Sequence, residues 1–85
     1  MGSVTFKARD LQDGNVVLFG ADKFEITAIV ESDFNEDERE YQFGESKDDE
    51  PFADAKKLRI EAMDERGETV TMIMATTDNV AIENP

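Results

Sequence analysis

Phe24, Ile26, Ala28 and Val30 place apolar side chains on alternate positions, opposed by Lys23, Glu25, Thr27 and Glu31. Successive side chains of a strand leave opposite faces, so this period of two marks a half-buried β-strand. The same alternation recurs in Val4, Phe6 and Ala8, in Leu58, Ile60 and Ala62, and in Val70, Met72 and Met74. Asn15 to Phe19 and Val80 with Ile82 read as shorter strands. Turn residues separate them: Asp13-Gly14, Gly20-Ala21-Asp22, Glu65-Arg66-Gly67-Glu68 and Thr76 to Asn79. No sustained helical period is visible, and at most one helical turn is expected near Phe52 to Lys57. This spacing predicts an all-β fold, a small antiparallel barrel of about five to seven short strands. Closure would also remove exposed strand edges. Residues 1–85 are expected to form one small domain. Phe24, Ile26, Leu58, Ile60 and Val70 are its predicted core.

Charge is distributed very unevenly. Residues 31–54 hold eleven carboxylates against two basic side chains, Arg39 and Lys47, a net −9 out of −12 for the chain. Here the strand pattern weakens. Arg39, Tyr41 and Phe43 could line one face of a short strand, and Gly44 to Pro51 reads as loop. The stretch is therefore expected to be an acidic loop or insert. A local field of this sign attracts basic partners and repels nucleic acid and anionic membrane.

Composition also removes chemistry. The chain contains no histidine and no cysteine. It lacks the side chain most used for proton transfer near neutral pH, the commonest metal ligand, and any thiolate. The five glycines are dispersed and form no phosphate cradle. Asp33-Phe34-Asn35-Glu36-Asp37 matches the opening of an EF-hand loop. Glu38 stands where that loop requires glycine, and Gly44 where it requires a bidentate glutamate. No enzyme activity, no metal site and no cofactor is expected. The longest nearly apolar run, Val16 to Ala21, is far short of the roughly 20 residues that cross a bilayer. The N-terminus has neither a basic nor an apolar signal region. A cytoplasmic protein without membrane contact is expected.

Asp10-Leu11-Gln12-Asp13-Gly14-Asn15-Val16-Val17, followed by Phe24-Glu25-Ile26-Thr27-Ala28-Ile29, resembles the opening of SH3-like small barrels. In that group a Leu-x-x-Gly-(Asp/Asn)-x-Val turn leads into a hairpin, and further strands close the chain. Leu58–Ala62, Val70–Met74 and Val80–Ile82 are similar to that ending. The resemblance implies an SH3-like barrel that binds other macromolecules, and it implies no catalytic residue. The acidic stretch departs from the basic surface of many nucleic-acid-binding members.

Two functions are consistent with these features. The first is an acidic, DNA-mimic-type inhibitor, phage-encoded by analogy with small acidic phage proteins. It would occupy the basic groove of a nucleic-acid-binding protein and would not bind nucleic acid itself. In an extended segment Glu36, Glu38 and Glu40 would form a row about 6.6–6.8 Å apart. Asp48, Asp49 and Glu50 would supply a second row, since one DNA strand carries a phosphate every ~3.4 Å. Asp37 adds charge, and Tyr41 and Phe43 would anchor the contact or pin the segment to the barrel. The second is a structural or assembly module, a virion or complex component, whose acidity maintains solubility. The oligomeric state, monomer or dimer, stays open.

Overall fold

A computed structural model describes residues 2–83. Six strands form one antiparallel sheet: β1 (Ser3–Lys7), β2 (Val16–Phe19), β3 (Asp22–Ser32), β4 (Lys57–Met63), β5 (Thr69–Ala75) and β6 (Asn79–Glu83). Their spatial order is β1-β6-β2-β3-β4-β5. One short helix, α1 (Glu36–Phe43), follows β3, and 3-10 turns occupy Ala8–Asp10, Gly44–Ser46 and Phe52–Asp54. The all-β, small barrel-like fold is as the alternation predicts, although the sheet does not close between β1 and β5. The 3-10 turn after β1 ties down the end of β5 instead. Ala8 N–H donates to Asp78 O at 2.8 Å and Arg9 N–H to Thr76 O at 3.2 Å. Among the described residues no helix is long and apolar enough to cross a membrane.

The turn that carries the resemblance has a plain physical basis. Leu11 drops into the core, 7% exposed. Gly14 takes φ +88°, a conformation that an L side chain strains. Asn15 Oδ1 accepts the Gln12 N–H at 2.8 Å, and Asn15 O accepts Ile26 N–H at 2.9 Å. The turn is thereby stitched to β3.

β3 corrects the simplest expectation. Its apolar face does not run unbroken from Phe24 to Val30. The register against β4 shifts between Ile26 and Ala28, which leaves Thr27 as an extra residue. Thr27 Oγ1 donates to Glu61 O at 3.2 Å across this bulge. One inserted residue reverses which face every later side chain takes. Ile26 therefore points inward, and so does Ile29, packed on the core opposite Ile60. Ala28 and Val30 point out, Val30 at 58% exposure.

The core joins Ile26, Leu58 and Ile60 with Val17, Met74, Val80, Ile82, Ala8 and Leu11. Of the predicted core, Phe24 and Val70 are only half-buried. They lie near the mouth of the β4–β5 hairpin, sharing a recess with Asp22, Lys23 and Asp64. Phe24 meets Phe19 edge-on at 5.9 Å there. Ile26→Ala should cost about 2–5 kcal/mol in urea unfolding, because it opens a cavity in this core. Val30→Ala should fall within about 0.5 kcal/mol of wild type, as expected for an exposed site. Equal costs would disprove the bulge.

Candidate functional site

The acidic stretch is neither a strand nor a free loop. Glu31 and Ser32 end β3, and α1 begins four residues later. Asn35 starts the helix with a capping box. Its Oδ1 accepts Glu38 N–H at 2.8 Å, while Glu38 Oε1 accepts Asn35 N–H at 3.0 Å. Two orphan donors at the helix start are satisfied reciprocally. Glu36, Asp37 and Glu38 in the first turn also complement the helix dipole. The Asn-x-x-Glu signal at 35–38 was present in the sequence. The alternation of Arg39, Tyr41 and Phe43 obscured it.

Arg39 organises the chain beyond the helix. Its guanidinium donates to the carbonyls of Lys47 and Phe52, the latter at 3.0 Å, and lies 6.0 Å from the Phe43 ring centre. Phe43 stacks on Phe52 at 4.8 Å and meets Phe34 edge-on at 5.7 Å. Both ends of the segment are thus held by one aromatic stack and one arginine. Phe43 belongs to this scaffold, whereas Tyr41 projects outward at 93% exposure.

The helical turn also rearranges the carboxylates. Residues four apart share a helix face, so Glu36 and Glu40 both reach Lys47 Nζ at 2.9 Å. Glu38 faces elsewhere and takes Lys57 Nζ of β4 at 2.6 Å. The row Glu36–Glu38–Glu40 does not exist. Asp33 pairs with Lys56. Asp37 and the turn residues Asp48, Asp49 and Glu50 are exposed and join no ion pair among the described residues. Of the predicted contact residues the fold brings Glu36 and Glu40 together around a lysine, and Asp37, Glu38 and Tyr41 together along one recess. Sequence reasoning missed Lys47, Lys56 and Lys57 as their counter-charges, because two of the three lie beyond the next turn. With Asn35 committed to its cap and Asp33 to Lys56, the EF-hand-like positions are already occupied. Among the described residues no group of three or more acidic side chains is placed to hold a metal ion.

Asp33, Glu36, Glu38, Lys47 and Lys56 are each shifted toward the charged form by these contacts. Glu38 lies below its ordinary value because it accepts the Asn35 N–H and then the Lys57 ammonium. Glu36 is lowered by Lys47, and Asp33 by Lys56. Lys47 is raised by Glu40 and Glu36.

The fold and the arm together define a small antiparallel barrel-like domain with a helical acidic appendage. No protein-family model matches the sequence, and no curated protein matches it. Solved structures do match. One is a translation initiation factor eIF-5A family protein from Naegleria fowleri ATCC 30863, with TM-score 0.68 and 16% identity over 99% of this chain and 49% of that chain. Another is eukaryotic translation initiation factor 5A from Methanococcus jannaschii, with TM-score 0.63 and 15% identity over 95% of this chain and 50% of that one. This chain spans about half the length of each. At such identity the likeness establishes the fold.

The expected DNA-mimic inhibitor is overturned. The folds that match belong to translation initiation factors, with no link to phage inhibitors, and the carboxylate row that mimicry required is wound into a helix. The virion or assembly-module alternative gains nothing from these matches.

Two outcomes are expected for the arm. Arg39→Ala should lower protection of residues 36–54 in amide exchange by about 1–3 kcal/mol and leave β3, β4 and β6 unchanged, since it removes charge-assisted hydrogen bonds that no other group replaces. On acidification, Glu38 has a lowered folded pKa, so its support for α1 is complete above its ordinary value of 4.5 and is lost as pH falls through the lowered one. NMR shifts of α1 should therefore move toward random coil only below pH 4.5, and Glu38→Gln should shrink that step to the part that Glu36, lowered by Lys47, still carries.

Proposed function

We propose that this chain is a non-enzymatic binding module of the translation apparatus, acting in the cytoplasm through contact with a basic protein surface there. The observation that carries this reading is the fold match to two translation initiation factor 5A proteins over nearly the whole chain. An SH3-like barrel that binds macromolecules agrees with it. Charge selects the kind of contact. A chain at net −12 repels the phosphate backbone, so RNA is a poor direct ligand and a basic protein a good one. The exposed carboxylates Asp37, Asp48, Asp49 and Glu50 and the exposed ring of Tyr41 are free to meet such a surface.

Sedimentation through sucrose tests it. The protein should travel with ribosomal particles at about 50 mM salt and dissociate by about 500 mM, because exposed charge pairs are screened over that range. Protein-free ribosomal RNA should not retain it. Absence from every ribosomal fraction at low salt, or equal retention by naked RNA, would sink the reading.

A further inference from the structure

β5 is the least guarded edge of the sheet. It pairs only with β4 and stands last in the strand order. Its residues, Thr69-Val70-Thr71-Met72-Ile73-Met74-Ala75, include no charge, proline or glycine, in a chain that is 35% charged. Edge strands are usually blunted by lysine, proline, a bulge or a covering loop, since an open row of backbone groups invites pairing.

Both ends of the β4–β5 hairpin tell which backbone groups are free. Asp64 N–H donates to Glu68 O at 2.9 Å, and Thr76 N–H to Lys56 O at 2.9 Å. Antiparallel residues alternate between facing the partner strand and facing away. Val70, Met72 and Met74 therefore bond to β4, and the backbone groups of Thr69, Thr71 and Ile73 face outward. Ala75 agrees, its N–H turning to Asp78 Oδ2 at 2.9 Å. With β4 the one strand beside β5 among the described residues, this alternation leaves the N–H groups of Thr71 and Ile73 facing the open edge.

The surroundings specify what would fit. Ile73 is 56% exposed and belongs to two recesses. One, of about 770 Å³, opens toward Leu18, Phe19 and Asp78. The other, of about 340 Å³, lies against α1 with Phe34, Tyr41 and Asp37. The cations nearby are already held, Lys57 by Glu38 and Arg59 by Glu61, which leaves Asp37 uncompensated. A second copy of the chain would bring two net charges of −12 together. We infer that the free edge of β5 accepts an extended segment of a basic protein, in which apolar residues alternate with Lys or Arg. Backbone bonds to Thr71 and Ile73 give the pairing, apolar side chains on one face of the added strand enter the recess of Leu18 and Phe19, and the cations on its other face meet Asp37. This deepens the proposed function and rests on it for the partner's charge.

A short synthetic peptide of alternating Lys and Val is the probe, with a Glu and Val peptide as control. In the free protein, amides of Thr71 and Ile73 should exchange fast and those of Met72 and Met74 slowly. The Lys peptide should slow Thr71 and Ile73, and the Glu peptide should not. Thr71→Pro removes one outward donor and the Thr71 hydroxyl bond to Glu61 at 3.1 Å, but leaves the backbone bonds to β4 in place, at a position where an edge strand tolerates proline. It should weaken peptide binding at least about tenfold. Ile73→Lys, an exposed site, keeps the test decisive if the proline variant fails to fold, and should weaken binding to a similar extent. Protection of α1 or residues 47–51 in place of Thr71 and Ile73, unchanged binding by the variants, or equal binding of the Glu peptide would overturn the inference. So would a dimer of the free protein that Ile73→Lys dissociates. If wild type travels with ribosomes and both variants do so equally, the edge is wrong and the translation reading stands. If wild type never does, the translation reading fails while the peptide result still decides the edge.

Discussion

The bulge at Thr27 is the constraint on which the rest of the molecule depends. β3 runs for eleven residues and pairs on both sides, with β2 over its first part and with β4 over most of its length. A strand of constant phase would turn Ile26 and Ile29 to opposite faces. The single extra residue brings both toward Ile60, and the Thr27 hydroxyl bonds to the carbonyl opposite. The core of so small a domain has few large side chains, and among the described residues Ile26, Ile60 and Val17 are the largest that are completely enclosed. Losing one phase would halve what β3 supplies. Val30 is exposed as the consequence, beside Arg59 and Ile73 on the outer face.

The acidic arm solves a different problem, that of ordering a segment whose charges repel one another. Ion pairs with Lys47, Lys56 and Lys57 relieve part of that repulsion, but exposed pairs contribute little net stability. Order comes from elsewhere. The capping box starts the helix, the Phe34, Phe43 and Phe52 rings supply a small apolar centre, and Arg39 ties the carbonyls of the returning chain to it. Aromatic pairs of this kind add about 0.5–1.5 kcal/mol beyond their buried area. An arm built this way keeps Tyr41 and several carboxylates facing outward on a defined surface.

Fold and charge together narrow the function. A barrel-like fold shared with translation factors would fit an RNA ligand as readily as a protein one. The excess of carboxylates favours the protein partner proposed above, because phosphate contacts need cations and the cations of this chain are largely committed. The uncharged edge of β5 then contrasts with everything around it. Its openness reflects the sheet's failure to close, since the turn at Ala8–Asp10 covers only the end of that strand.

What was legible in the sequence was local. Period-two alternation and turn residues located all six strands, because those signals depend only on neighbours along the chain. The Leu11 to Val17 motif announced its turn for the same reason. The capping box at Asn35 was equally local and was masked by a chance alternation of Arg39, Tyr41 and Phe43. The phase of β3 was beyond sequence reasoning, since a bulge is a mismatch between two strands and neither carries it alone. The half-burial of Phe24 and Val70, the lysines that answer α1, and the unpaired edge of β5 were likewise decided in three dimensions. Each depends on which element lies beside which, and the order β1-β6-β2-β3-β4-β5 is set by packing of the whole sheet.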